Sequence, residues 1–106
     1  MYYTYMIRCK DNSIYTGMTN NIDERFNKHL SRNGAKYTKS HIPDKLEAVW
    51  RCKDKSLACK LEYQLKHLNK QQKEDIIQGQ KITAYLKGKI DGRRYYRIPE
   101  GEINEV

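Results

Sequence analysis

Apolar and polar positions in the first twenty residues follow strand logic. Residues 2 to 9, YYTYMIRC, make an aromatic and aliphatic run, and a second run follows through 14 to 18. Between them lies Lys10-Asp11-Asn12-Ser13, whose short polar side chains can satisfy their own backbone, so the two runs read as a hairpin. The pattern then changes period. Ile22, Phe26 and Leu30 recur at helical spacing, with Asn21 at the N-cap and Glu24 three residues on as a capping-box variant. Gly34 stops the chain soon after, and GAKYTKSHIPDK (34 to 45) reads as a basic loop in which Pro43 bars regular structure. LEAVWRC (46 to 52) alternates Leu46, Ala48 and Trp50 on one face, which predicts a third strand. Asp54 or Ser56 caps a helix over about 56 to 68, with Ala58, Leu61, Leu65 and Leu68 on its stripe. A short helix from Lys70 to Gln78 ends at Gly79. These elements predict an α+β layer, a small antiparallel sheet with helices packed on it.

Beyond Lys81 the periodicity weakens. Ile82 to Gly88 suits either strand or helix, and Asp91-Gly92 between residues of strand character is a hairpin signal. The organisation expected is a domain over 1 to 80, a basic Tyr- and Arg-containing extension over 81 to 99 packed on or next to it, and an acidic, flexible tail over 100 to 106. The extension is expected to serve contact with a polyanion more than folding.

Charge sharpens the picture. The 106 residues carry 21 Lys and Arg against 13 Asp and Glu, a formal net charge of +8. Three of those acids, Glu100, Glu102 and Glu105, lie in the tail, so residues 1 to 98 hold 21 bases against 10 acids. Such a domain projects a positive field and attracts polyanions, nucleic acid first among them. No run is apolar for the roughly 18 residues that a membrane span needs, so no membrane partner is expected. Cys9, Cys52 and Cys59 are odd in number and lack ligand spacing even with His41 or His67, which favours free thiols in a reducing, cytoplasmic setting over disulfides or zinc.

Five residues could do chemistry together. Tyr5 and Tyr15 lie on the two arms of the hairpin, and Arg25 and His29, four apart, share a helix face at the border of the apolar stripe. Glu62 sits beside Leu61 on the flank of the second helix. Two phenols, a guanidinium, an imidazole and a carboxylate suit attack on a phosphodiester: a base for the nucleophile, a cation for phosphoryl charge, and a ligand for a hard metal ion. Singly, each has a plainer reading. The tyrosines are good strand formers, Arg25 and His29 are surface helix residues, and Glu62 is an i, i+4 partner for Lys66.

At these residues the chain resembles the GIY-YIG nuclease family, in particular its small stand-alone bacterial branch. Tyr3-Thr4-Tyr5 and Tyr15-Thr16-Gly17 stand for the two triplets, Arg25 follows ten residues after the second tyrosine, and His29 comes next. GAKYT (34 to 38) and ACKLEYQLK (58 to 66) continue the likeness, which spans about residues 2 to 78. The resemblance implies a three-stranded antiparallel sheet flanked by helices, and divalent-metal-dependent cleavage of DNA. It implies Tyr15 as general base, Tyr5 as a positioner of nucleophile or phosphate, Arg25 as transition-state stabiliser, and His29 as a proton relay. Glu62 is then the ligand of one Mg²⁺ or Mn²⁺. An ordinary tyrosine titrates near ~10, so positive charge must favour the Tyr15 phenolate, or a neutral His29 must carry the proton away.

The chain also departs from the family pattern. Tyr3 replaces the opening Gly, both middle positions are Thr, and Met18 stands where some relatives place a Lys. Asn69 is the one residue near a position that some relatives fill with Asn. These departures motivate a second reading, a nucleic-acid-binding module that kept the scaffold without useful catalysis. Further contacts are expected where cations interleave with aromatics: Lys36, Tyr37 and Lys39 in the loop, and Arg93, Arg94 and Arg97 in the extension. Charge alone does not separate DNA from RNA.

Overall fold

The computed structural model describes residues 1–25, 42–99 and 102. Four antiparallel strands form one sheet: β1 (Tyr2–Cys9), β2 (Ile14–Thr19), β3 (Pro43–Cys52) and the short β4 (Tyr96–Arg97), in the order β2-β1-β3-β4. The fourth strand is an addition to the three expected. Helix α1 starts at residue 22 and is described to 25; α2 (Lys55–Lys66), α3 (Lys70–Ile77) and α4 (Thr83–Leu86) follow.

The local signals translate directly into contacts. In the β1–β2 turn, Asp11 accepts from the Ser13 amide at 3.0 Å, and Asn12 takes a φ of 71°, a conformation Asn tolerates better than most residues. Asn21 caps α1 by accepting from the Glu24 amide at 3.1 Å. Asp54 caps α2, accepting from the Leu57 amide at 2.9 Å. Asn69 and Gln72 make a reciprocal capping box on α3, so the one late Asn near the family position is spent on a helix end.

Both faces of the sheet are buried, which is why β1 loses its alternation and Thr4, Tyr5, Met6 and Ile7 are all inside. On one face Met6, Ala48 and Trp50 meet Leu61 and Leu65 of α2, Ile76 of α3, and Ile82, Leu86 and Ile90. Thr4 lies on that side and donates its hydroxyl to the Ala58 carbonyl at 2.9 Å, pinning α2 to β1. On the other face Tyr5, Ile7, Cys9 and Val49 pack with Ile22 and Ile98.

Four expectations change. β3 starts at Pro43, three residues inside the segment expected as a loop, because Pro43 takes the first position of the strand opposite Cys9. Met6 pairs with Ala48 but Ile7 pairs with Leu46, so β3 bulges at Glu47 and Leu46 crosses to the face opposite Ala48 and Trp50. Asp91-Gly92 opens a 3₁₀ turn over Gly92–Arg94 instead of a hairpin, because the Asp91 carboxylate accepts from the Arg93 amide at 3.1 Å. The extension packs deeply, and Ile82, Leu86, Ile90 and Ile98 complete the two cores. Removing it strips both, contrary to the expectation that it serves contact more than folding.

The bulge has a second effect, for it aims Glu47 at Arg8. The Arg8 guanidinium is held by Glu47 at 3.2 Å and by both carboxylate oxygens of Glu74 on α3, and it also donates to Asn12 in the turn. One cation thus ties hairpin, bulge and helix together. Hydrogen bonds from Arg8 lower the Glu74 pKa below its ordinary 4.5. The stabilisation is therefore complete above the unfolded value and is lost as pH falls through the depressed folded one. We expect wild type to lose stability on acidification below about pH 4.5 more steeply than Glu74→Gln, measured by urea denaturation across pH.

Among the described residues, no helix is long and apolar enough to cross a membrane. Cys9, Cys52 and Cys59 are free thiols.

Candidate active site

The two tyrosines of the hairpin come together across β1 and β2. Tyr5 is opposite Gly17 and Ile7 is opposite Tyr15, so both phenols share one face, with ring centroids 6.3 Å apart and planes tilted by 43°. Tyr5 is fully buried and Tyr15 half-buried. Gly17 makes this possible, because a Cβ there would lie 2.5 Å from the Tyr5 hydroxyl and 2.8 Å from its ring carbon. The Tyr5 side chain lies across the backbone of edge strand β2, so the small third residue of the second triplet is the bed for the last tyrosine of the first. We expect Gly17→Ala to cost roughly 1–3 kcal/mol in denaturant unfolding, since the buried ring has little room to move.

Helix α1 delivers the cation. Arg25, exposed on the turn after the Asn21 cap, brings its positive charge close to the Tyr5 phenol. Burial is the main reason that the Tyr5 pKa is raised far above 10, with Tyr15 adding to the rise and Arg25 opposing it. Tyr5 is therefore a neutral phenol across the physiological range.

The carboxylate arrives with α2, which packs against β1 and β2. Glu62 is close enough to raise the Tyr5 pKa further, and its side chain is 23% exposed. It also pairs with Lys66 at 3.4 Å, the i, i+4 contact that spacing alone allows. Among the described residues no group of three His, Cys, Asp or Glu could enclose a metal ion. One partly accessible hard-oxygen donor still fits Mg²⁺ or Mn²⁺, which keep several waters and take substrate phosphate oxygens as further ligands.

Tyr5, Tyr15, Arg25 and Glu62 thus converge on the β2 edge. The expectations for His29, Lys36, Tyr37 and Lys39 fall outside the described residues. Met18, in place of a cation, puts its thioether 3.2 Å from the Cys59 thiol on α2. In the extension, Arg93 is exposed and pairs with Asp91, and Arg94 is exposed. Arg97 points inward: it donates to the Ile76 and Ile77 carbonyls that end α3 and lies 5.4 Å from the Trp50 ring. Its charge is engaged at a helix C-terminus, where carbonyls are left without amide partners. A cleft of about 210 Å³ between Trp50, Ile82, Tyr95 and Arg97 belongs to this opposite side of the sheet, apart from the tyrosines.

The profile of the GIY-YIG catalytic domain matches residues 1–75. The chain belongs to the GIY-YIG family. A UPF0213 protein of Fusobacterium nucleatum is 51% identical over 76 residues, which cover 72% of this chain and 76% of that one. Another, from Halalkalibacterium halodurans, is 43% identical over 76 residues, covering 72% and 81%. The solution NMR structure of a UPF0213 protein from Bacillus halodurans shares 38% identity, covers 82% of this chain and 97% of that one, and gives a TM-score of 0.49. Membership in the GIY-YIG family implies a nuclease-type domain acting on nucleic acid. The profile ends in α3, so α4, the 3₁₀ turn and β4 are built from sequence beyond the GIY-YIG match.

Proposed function

We propose that the protein is a divalent-metal-dependent endonuclease that hydrolyses DNA phosphodiester bonds, of the structure-specific type suited to repair or recombination. The observation that carries this reading is the gathering of Tyr15, Arg25 and Glu62 within electrostatic reach of Tyr5 on the hairpin.

The two phenols divide the work according to burial. Tyr15, the accessible one, takes the proton of the attacking water as general base. Tyr5, buried and neutral, is a fixed post against which Arg25 rests. Arg25 then meets the negative charge that grows on the phosphoryl oxygens, already oriented and without further reorganisation. His29 would relay the proton from Tyr15. Glu62 would hold one Mg²⁺ or Mn²⁺, which when bound supplies Lewis-acid stabilisation of the leaving oxygen. The excess positive charge supports a nucleic-acid partner.

Met18 favours the second reading, a binding module with weak or absent catalysis, because a thioether in that position contributes no charge to the phosphate. Matched DNA and RNA substrates, linear and branched, incubated with Mg²⁺ separate the possibilities. Cleavage of branched DNA in preference to RNA supports the proposal. Binding without cleavage of any substrate supports the module.

A further inference from the structure

The face of the sheet that carries Tyr5 continues beyond it into a second surface. Tyr3 pairs with Arg51, and Arg51 pairs with Tyr96, so one side chain from each of β1, β3 and β4 stands in a row. Three packing facts put that row on the tyrosine face. Tyr3 packs against the Tyr5 cluster, Val49 two residues before Arg51 belongs to that cluster, and so does Ile98 two residues after Tyr96. Tyr3 is two residues from Tyr5 on the same strand, about 7 Å along it.

The chemistry of the row differs from the rest of the face. Tyr96 is 49% exposed, one of the few large apolar side chains so placed among the described residues. The Arg51 guanidinium lies over its ring, 5.0 Å from the centroid. Arg51 is itself exposed and Tyr3 half-buried. Cross-strand packing explains why Arg51 and Tyr96 touch, but it does not require an aromatic ring half in solvent. Two phenol rings about 10 Å apart, with a planar cation between them, present flat π-faces and positive charge together. Neither a duplex nor an apolar partner uses that combination fully, since a duplex hides its base faces in the stack. Unpaired nucleotides offer both base faces and phosphates.

We propose that Tyr3, Arg51 and Tyr96 form a stacking platform for unpaired nucleotides flanking the bond to be cut, and that the enzyme selects substrates with a single-stranded segment next to that bond. The inference rests on the nuclease reading for its orientation, one residue pair from Tyr5, but the platform itself is a binding site. It also gives the extension a role, because β4 adds the strand that carries Tyr96.

The test is fluorescence anisotropy with full-length protein in the absence of divalent metal. Three labelled DNA probes are compared at fixed salt: a single strand, a blunt duplex, and the same duplex bearing a single-stranded tail. Wild type is expected to bind the single strand and tailed duplex more tightly than the blunt one. Tyr96→Ala and Arg51→Gln are each expected to weaken the first two by about tenfold and the blunt duplex by less than about twofold. Tyr96→Phe, which keeps the ring, should retain wild-type affinity, and unchanged thermal unfolding shows that β4 survives. If blunt duplex is bound as well as the tailed one, or if Tyr96→Ala and Arg51→Gln weaken no probe, the platform is overturned. That result leaves the nuclease reading standing if the wild type still cuts. Tail-specific weakening in a protein that cuts nothing would instead remove the nuclease reading and keep the platform.

Discussion

Tyr15→Phe is expected to lower the rate of DNA cleavage by about 10²–10⁴-fold, the usual weight of a positioned general base. The substitution removes one hydroxyl and leaves the ring that packs against Tyr5 at 6.3 Å. Folding should therefore be nearly unaffected, and DNA binding, governed by the basic surface, should stay within a fewfold of wild type. Tyr5→Phe gives a contrasting pattern. Tyr5 is fully buried, and the charge of Arg25 lies close to its hydroxyl. Its loss frees the guanidinium and leaves the base in place, so we expect a smaller rate loss that Tyr15→Phe does not share in its structural signature. Single-turnover cleavage kinetics for both variants check this division of labour. Equal losses in the two would contradict it.

The second large effect is expected at Glu62. Glu62→Ala removes the one carboxylate that α2 brings toward the tyrosines, and cleavage should fall by about 10³-fold or more. The ion pair with Lys66 is also lost, but an i, i+4 pair of this kind, exposed on its Lys66 side, contributes only about 0.3–0.5 kcal/mol, so the variant should fold normally. A readout independent of activity is Mn²⁺ binding followed by electron paramagnetic resonance. Wild type should sequester the ion and Glu62→Ala should not, while Lys66→Ala, by freeing the carboxylate, should bind at least as well. Equal Mn²⁺ uptake by wild type and Glu62→Ala would place the ion elsewhere.

Much of the scaffold was legible in the residue pattern because its signals are local. Asp11-Asn12-Ser13 makes a turn through its own side chains, and Asn21 and Asp54 each cap the helix that follows. The ordered set Tyr5, Tyr15, Arg25 and Glu62 was legible for a different reason. Its spacing resembles that of a known family, and the profile over residues 1–75 shows membership of that family. What escaped the sequence depends on register and on non-local partners. The bulge at Glu47 is invisible in LEAVWRC, where simple alternation puts Leu46 beside Ala48 and Trp50. Arg97 reads as a free cation next to two tyrosines, yet the end of α3 captures it. Arg51 and Tyr96 lie 45 residues apart and meet only because β4 joins β3, so neither suggested a surface by itself. Gly17 was visible as a motif residue, but its purpose, space for the Tyr5 hydroxyl, needs the pairing of β1 with β2.

The central claim is that the constellation at the β2 edge cuts DNA. The most direct measurement is a time course of end-labelled branched and linear DNA with Mg²⁺ or Mn²⁺, run with wild type, Tyr15→Phe and Glu62→Ala at equal occupancy. We predict discrete cleavage by wild type that stops with EDTA, and a loss of at least about 100-fold in each variant with DNA binding retained. Wild type that binds DNA yet leaves every substrate as intact as the two variants do would contradict the claim.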